Sequence, residues 1–335
     1  VNVVLLVHSD LIPPEDAKPG QFNREEVPWV TEFDVKQALL ANRHTVEVLG
    51  VYEELKSIQA EIHQFRPKVV FNLLEEFRGE AIFDQNVVSH LELLGVPYTG
   101  SNPKGLIISR DKALCKKILT YHKIPTPKFQ VFPRNNTKMQ LRLKEFPLIV
   151  KCLNEEASLG ISQASVVHSL EKLRERVEFI HEKFKTDAIV EEFIEGSEYF
   201  VGVIGNYRLQ TFPAWELRFD KVKNPEKQLY STNAKFDEEY RSRNGITTQR
   251  AEISEELERY LQKLARRAYR ALGISGYARL DLRVDRNGKA YVIEVNPNPD
   301  ISETDDFAQS AKAAGLIYKK LLDKIIRLGR QWTPV

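Results

Sequence analysis

"YARLDLRVDRNGKAYVIEVNPNP", residues 277–299, decides how this chain is read. Both halves are rich in Val, Ile, Leu and Tyr and alternate apolar with polar residues, the period of half-buried strands. Between them, Asn287-Gly288 is the dipeptide that a type I′ hairpin turn prefers, because both central residues need φ > 0. With those two as the loop, Arg286 pairs with Lys289, Asp281 falls opposite Glu294, and Arg279 falls opposite Asn296. Side chains two apart share a face, so all four project from one side, with opposed Cβ atoms about 4.5–5.5 Å apart.

Two carboxylates at that spacing repel unless a proton or a cation sits between them. Mg²⁺ suits the place, since it takes oxygen ligands from one or two carboxylates together with substrate phosphates. Asn296 adds a neutral oxygen, and Arg279 can hold a phosphate or carboxylate in a forked pair. The alternative is a solvated outer face on which acids and bases simply alternate.

The chain has 335 residues, enough for two or three domains. Its 42% hydrophobic and 29% charged residues are those of an ordinary globular protein. A net charge of +2 with interspersed signs gives no basic field for nucleic acid or a membrane surface. No apolar run reaches the length of a membrane span, and VNVVLLVHSD reads as a first strand. Two cysteines, Cys115 and Cys152, are too few for a disulfide framework, which points to a cytoplasmic protein.

Strand and helix alternate over the first hundred residues: Val3–Val7, a helix near Phe33–Ala41, Thr45–Val51, a helix near Leu55–Phe65, Val69–Leu73, then Asp84–Leu94. That order predicts an α/β fold with a parallel sheet. "GVPYTGSNPKG" marks a boundary, and a helix follows over Arg110–Tyr121. "FPLIVK" reads as a buried strand, Leu170–Phe184 as a helix, and "DAIVEEFIEGSEYFVGVIG" as two strands about a Gly turn. Residues 220–250 are polar and aperiodic, the pattern of a functional lid or a disordered loop. Ser254–Leu272 and Phe307–Leu328 are predicted helices.

A P-loop, a G-x-G-x-x-G turn and a G-x-S-x-G elbow are all missing, and the seven histidines form no zinc pattern. Lysines take their place. Lys112 opens a helix in "SRDK", Lys151 ends the apolar strand "PLIVK", and Lys235 sits in the long loop. A cation at the end of a buried strand is costly without an anion to meet it. Three lysines and an acidic metal pair would suit a nucleoside triphosphate. Taken singly, each lysine reads as a solvated surface charge; it is the set that points to a site.

The order of these elements resembles the ATP-grasp superfamily, and within it the D-alanine–D-alanine ligase family. "GVPYTGS", "SRDK", "PLIVK", "EEASLG", "VEEFIEGSE", "AKF" and the late hairpin carry the likeness, from about Phe71 to Leu328. It implies a three-domain fold: an amino-terminal Rossmann-like domain (1–102), then a central domain (103–192) and a carboxy-terminal domain (193–335) sandwiching ATP. The implied activity is carboxylate–amine ligation through an acyl phosphate. ATP and Mg²⁺, with Mn²⁺ as a substitute and two ions bound, are the implied cofactors, and a homodimer is the implied assembly. Lys112 and Lys151 would hold phosphates; Glu191, Glu192, the backbone at Ile194, and Glu198 would receive adenine and ribose. Lys235 would close onto the γ-phosphate, Arg279 would stand beside the reacting carboxyl, and Asp281, Glu294 and Asn296 would bind the metal.

Departures from the family pattern bear on the substrates. Its serine-rich "EGSSVG" is here "EEASLG", which keeps Ser158 as a catalytic candidate but has Ala157 for the first serine. Phe236 replaces a tyrosine, and Asp300 replaces a glycine in "NPNPDISETDD". Asp300, Glu303, Asp305 and Asp306 place four acids beside the expected amine pocket, with Ser302 among them as a further substrate candidate; this suits a cationic or amine-bearing acceptor larger than alanine, and the alternative is a solvated acidic turn. In the first domain "REEVP" makes Glu26 the candidate substrate-binding acid, with Glu32 as its alternative. Asn72 and Glu75 in "FNLLEE" lie near a strand end, where open sheets bind ligands.

Overall fold

The computed structural model describes residues 1–135, 140–154 and 160–334, except the side chain of Phe236. Three sheets organise them. The first is parallel, in the order β2 (Thr45–Val51), β1 (Asn2–His8), β3 (Val69–Asn72). Its central strand is apolar on both faces, as a strand covered on both sides must be. Val3, Leu5 and Val7 pack toward α1 (Val30–Ala41), whereas Val4 and Leu6 pack toward α2 (Leu55–Phe65), α3 (Asp84–Leu93) and α4 (Pro103–Arg110).

The second sheet is antiparallel: β4 (Phe129–Phe132), β7 (Ala188–Glu192), β5 (Leu148–Cys152), β6 (Val166–Val167). Leu148, Val150, Ala188 and Val190 pack on Leu173, Val177 and Ile180 of α6 (Leu170–Lys183). The opposite face carries Ile149, Lys151, Ile189 and Glu191, since Ile149 pairs with Glu191 and Lys151 with Ile189.

The third sheet runs β11 (Ile246–Arg250), β10 (Trp215–Phe219), β8 (Gly196–Ile204), β12 (Tyr277–Asp285), β13 (Ala290–Pro297), with β9 (Gln210–Thr211) beside β8. Ala278, Leu280, Leu282 and Val284 pack with α5 (Lys112–Tyr121) and α9 (Glu255–Ala271). Arg279, Asp281 and Arg283 alternate with them and so face the other way. Their side turns toward the polar face of the second sheet, and a cleft lies between the two.

Several predicted elements differ. The helix expected over Arg110–Tyr121 is α5, which starts at Lys112 because Asp111 leaves helical geometry to cap it through Leu114 N–H (2.9 Å), while Arg110 ends the separate α4. The carboxy-terminal helix divides, into α10 (Asp306–Ala313) and α11 (Tyr318–Gln331), at Gly315 with φ 80°. Residues 220–250 contain α7 (Thr232–Phe236), α8 (Glu238–Asn244) and β11. Their polarity is that of an edge strand and two one-sided short helices, which periodicity does not separate from a loop. The strands of "DAIVEEFIEGSEYFVGVIG" part into different sheets, so this Gly turn links two layers and not a hairpin.

The turn of the deciding hairpin also differs. Gly288 N–H donates to Asp285 O (3.0 Å), and Asp285 N–H donates to Lys289 O (3.0 Å). The loop is thus three residues, with Gly288 at φ 77°, which shifts the ladder by one relative to a two-residue loop. A bulge at Ile293 shifts it back: Leu282 pairs with Val292, but Asp281 pairs with Glu294 and Arg279 with Asn296.

Candidate active site

The bulge decides where the polar residues point. Continued from the turn without it, the ladder would send Glu294 and Asn296 into the apolar core beside Val292. With it, Val292 and Val295 stay in the core while Glu294 faces the cleft with Asp281. Lys116, fully buried on α5, donates to the bulge carbonyl of Ile293 (3.1 Å) and to Thr126 Oγ1 (3.2 Å).

Charges in the cleft are paired across elements. Arg279 grips Asp281 with two bonds (2.8 and 3.0 Å), and Asn296 Nδ2 donates to the same carboxylate (3.0 Å). Lys112, the first residue of α5, lies 3.2 Å from Glu294. Glu191 is held between Lys151 (3.1 Å) and Lys116 (3.4 Å). Lys235, in the last turn of α7, lines the cleft and sits 4.9 Å from the ring of Tyr230.

These surroundings split the two hairpin acids. Burial raises the Asp281 carboxyl, and Arg279 only partly offsets it. Burial acts on Glu294 too, but Lys112, Lys235 and Lys151 outweigh it and hold that carboxyl down to about 2. Burial lowers Lys235, with Glu294 pulling the other way. Burial works to raise Glu191 as well, and Lys116 and Lys151 more than offset it, leaving the carboxyl below its usual range. Asp281, Glu294 and Asn296 are hard oxygen donors of the kind Mg²⁺ takes. Among the described residues no group of three or more His, Cys, Asp or Glu could hold a metal. Two carboxylates and an amide from one hairpin do not fill an octahedral shell, so an ion held there would draw its remaining ligands from substrate phosphates.

The cleft brings together Lys151, Glu191, Glu192, Ile194, Glu198, Lys235, Asp281 and Glu294. Ile149, Phe193 and Leu229 form an apolar cluster on its wall, a surface for a flat ring. Glu192 is engaged by Lys128, through Nζ (2.9 Å) and N–H (3.1 Å). Ser158, with Ala157, lies outside the described residues, as does the side chain of Phe236.

Asn72, Glu75 and Asp300 line a second cavity, between the first sheet and the segment after β13. Asp300 accepts from Thr31 Oγ1 and from Ser302 N–H, both at 2.8 Å. Ser302 is buried outside that lining, and Asp305 caps α10 through Phe307 N–H (3.4 Å). Glu26 is not brought there: it is exposed and accepts from Asn23 (2.9 Å). The first turn of α1 instead buries Glu32, which lines the cavity.

The residues that sequence reasoning missed are those whose partners lie far along the chain. Arg283 donates to Glu198 (3.0 Å), Ile194 O (2.9 Å) and Gln228 O (2.6 Å), fixing the strand that edges the cleft. Its signal was parity, since it shares a face with Arg279 and Asp281. Lys116 had one as well, standing one helical turn after Lys112.

The family model "D-ala D-ala ligase C-terminus" matches residues 118–327. The D-alanine–D-alanine ligase of Aquifex aeolicus is 30% identical over 307 residues, 92% of this chain and 97% of that protein. The chain belongs to the D-alanine–D-alanine ligase family. "Uncharacterized protein y4sG" of Sinorhizobium fredii is 34% identical over 258 residues, 77% of this chain and 73% of that one. The fold of this ligase is that of the D-alanine–D-alanine ligase from Bacillus anthracis complexed with ATP: TM-score 0.71, 24% identity, 98% of this chain and 96% of that one. The chain is an ATP-dependent ligase that forms C–N bonds, in the three-domain ATP-grasp fold. No helix among its described residues is long and apolar enough to cross a membrane.

Burial in this ligase also sets a pH response. It pushes the Glu32 carboxyl up to about 7; a bond from its own backbone N–H opposes this, and Asp300 adds to it. The unfolded chain loses that proton near 4.5 and the folded chain near 7. Stability from this group is therefore complete below pH 4.5 and is lost as pH rises through 7. Glu32→Gln is expected to unfold at a higher temperature than the parent at about pH 8, the advantage vanishing toward about pH 4, with a ceiling of about 3 kcal/mol. Thermal unfolding of both proteins across that range checks it.

Proposed function

We propose that this ligase joins an amino acid or small peptide to an amine, and that ATP, with Mg²⁺ held by Asp281, Glu294 and Asn296, activates the carboxylate. The observation that carries the reading is the convergence of the 281–294 acid pair with Lys151 and Lys235 on one cleft, with Lys112 3.2 Å from Glu294. A carboxylate is a poor acyl donor, because oxide is a poor leaving group. Transfer of the γ-phosphoryl to a carboxylate oxygen gives an acyl phosphate and ADP. The amine then attacks the carbonyl, phosphate leaves with the C–O bonding pair, and the amine gives up a proton. The bound metal would neutralise phosphate charge as the transfer proceeds.

In this reading Lys112 and Lys151 hold phosphates, and Arg279 orients the reacting carboxyl from the middle of β12. Lys235 meets the γ-phosphate from α7. Residues 220–250 then act as the cover that keeps water from the acyl phosphate. The apolar wall of Ile149, Phe193 and Leu229 takes adenine, with the Ile194 backbone and Glu198 at its edge.

The second reading is D-alanine–D-alanine ligation itself, favoured by the name of the Aquifex aeolicus relative. Asp300, in place of a glycine, and the acidic cavity it lines disfavour it. A panel of amino acids and dipeptides of both chiralities, assayed for ATP-dependent phosphate release with mass spectrometry of products, separates the two. Release that requires both an acid and an amine, with a dipeptide or amide product, is expected. A response to D-alanine alone selects the second reading, and a stable phosphorylated product without amine makes the chain a kinase.

A further inference from the structure

The second cavity, about 540 Å³, has a volume in the range of small-molecule sites. Its carboxylates come from separate elements: Glu32 from α1, Glu75 and Glu76 after β3, and Asp300 after β13. The lining has one arginine, Arg110, and that charge is matched by Asp84 at 2.6 Å. Among the described residues the wall thus gathers four carboxylates, with His8 3.3 Å from Glu76.

Glu32 is the informative member. It is 4% exposed, lines the cavity, and its Oε2 has no hydrogen-bond partner in the structure. A buried carboxylate oxygen without a donor is costly, and a ligand that brings one removes the cost. The cavity also adjoins the ligase chemistry. Tyr277 and Asn298 line it, and Tyr277 stands two residues before Arg279 on the same face of β12, about 7 Å away by strand rise. The cavity thus opens beside the face of β12 that carries Arg279, so a substrate whose carboxyl lies there would extend its far end toward the cavity.

Resting on the ligase reading above, we propose that this cavity receives a second ammonium group of an amino-acid substrate, so that the enzyme uses a diamino acid or a peptide that contains one. An ammonium brings three donors to a wall of acceptors, one of them orphaned, whereas the methyl of alanine brings none. Of the acidic run after the hairpin only Asp300 takes part. Glu303, Asp305 and Asp306 do not line the cavity, and Asp305 caps α10 through Phe307 N–H. The selecting charges come mostly from the amino-terminal domain.

The test is calorimetric binding to the full chain, loaded with a non-hydrolysable ATP analogue and Mg²⁺. The probes are D- and L-forms of 2,3-diaminopropionate, 2,4-diaminobutyrate, ornithine and lysine, with norleucine, which has lysine's four side-chain carbons and no side-chain ammonium, as the neutral comparison. At least one diamino acid is expected to bind about tenfold tighter than norleucine, and Glu32→Gln to erase that preference. Asp300→Asn, at an exposed position, is expected to weaken it in part and guards against a folding defect in the first variant. Equal binding of diamino acids and norleucine, or no binding by any of them, overturns the proposal. Phosphate release on the same series tests the ligase reading separately. A binding preference without turnover keeps the cavity assignment and sinks the catalytic one.

Discussion

Glu294→Gln is expected to lower kcat/KM for ATP-dependent phosphate release by about a thousandfold, roughly 4 kcal/mol of transition-state stabilisation. The substitution keeps shape and removes one negative charge from the point where Lys112, Lys235 and Lys151 converge. Those lysines then repel one another with Asp281 as the remaining hairpin acid, and Asp281 is already matched by Arg279. The ladder should survive, because Val292 and Val295 anchor β13 in the core on either side. Two readouts distinguish loss of a metal ligand from general damage. Circular dichroism should be unchanged, and nucleotide affinity without Mg²⁺ should match or exceed the parent, since a repelling acid has gone. The enhancement of binding by Mg²⁺ should be lost. A variant within about tenfold of the parent in kcat/KM would remove the acid pair from the metal site.

The register that makes this expectation possible was legible in the sequence, but by two errors that cancel. Asn287-Gly288 suggested a two-residue loop, and the loop is three residues, ended by Gly288 in the left-handed region. Alternation alone could not reveal that Ile293 is an extra residue, because Val292, Ile293 and Val295 are all apolar and any of them reads as core. The opposed polar pairs were right because the bulge undoes the slip of the turn. The parallel first sheet was legible for a sturdier reason: β1 is apolar on both faces, which needs helices on both sides. Glu32 was not chosen over Glu26 because local pattern favours "REEVP", whereas burial of position 32 depends on α1 packing beside the segment after β13, with Thr31 bonded to Asp300. Long-range packing of that kind leaves no periodic trace. Lys116 had only its helical spacing from Lys112 to mark it, and reads as polar in "DKALCKK" although it is among the most buried large side chains of the molecule.

That lysine supports the other large effect. Lys116→Met is expected to destabilise the protein by about 3–5 kcal/mol, whereas Lys112→Met, one turn earlier on α5, should cost about 1 kcal/mol. The two side chains differ in surroundings, not in charge. Lys116 is enclosed, and removing its ammonium leaves the buried Glu191 with only Lys151 and strips the donor from Ile293 O and Thr126 Oγ1. Each orphaned acceptor adds its own desolvation cost. Lys112 pairs with a Glu294 that is 28% exposed, so water can replace it. The function should divide the other way. The Lys112 variant is expected to lower its unfolding midpoint by only about 2 °C and to lose ATP affinity by about tenfold, through one fewer charged contact to phosphate. The Lys116 variant should lose activity in proportion to its unfolded fraction, and also through any slip of β13 when the carbonyl at the bulge is released. Thermal unfolding with and without ATP checks both: ATP should raise the midpoint of the Lys116 variant and have a reduced effect on that of the Lys112 variant. Equal stability of the two variants would mean that the buried carbonyl and Glu191 find other partners, and that the bulge is held by the ladder alone.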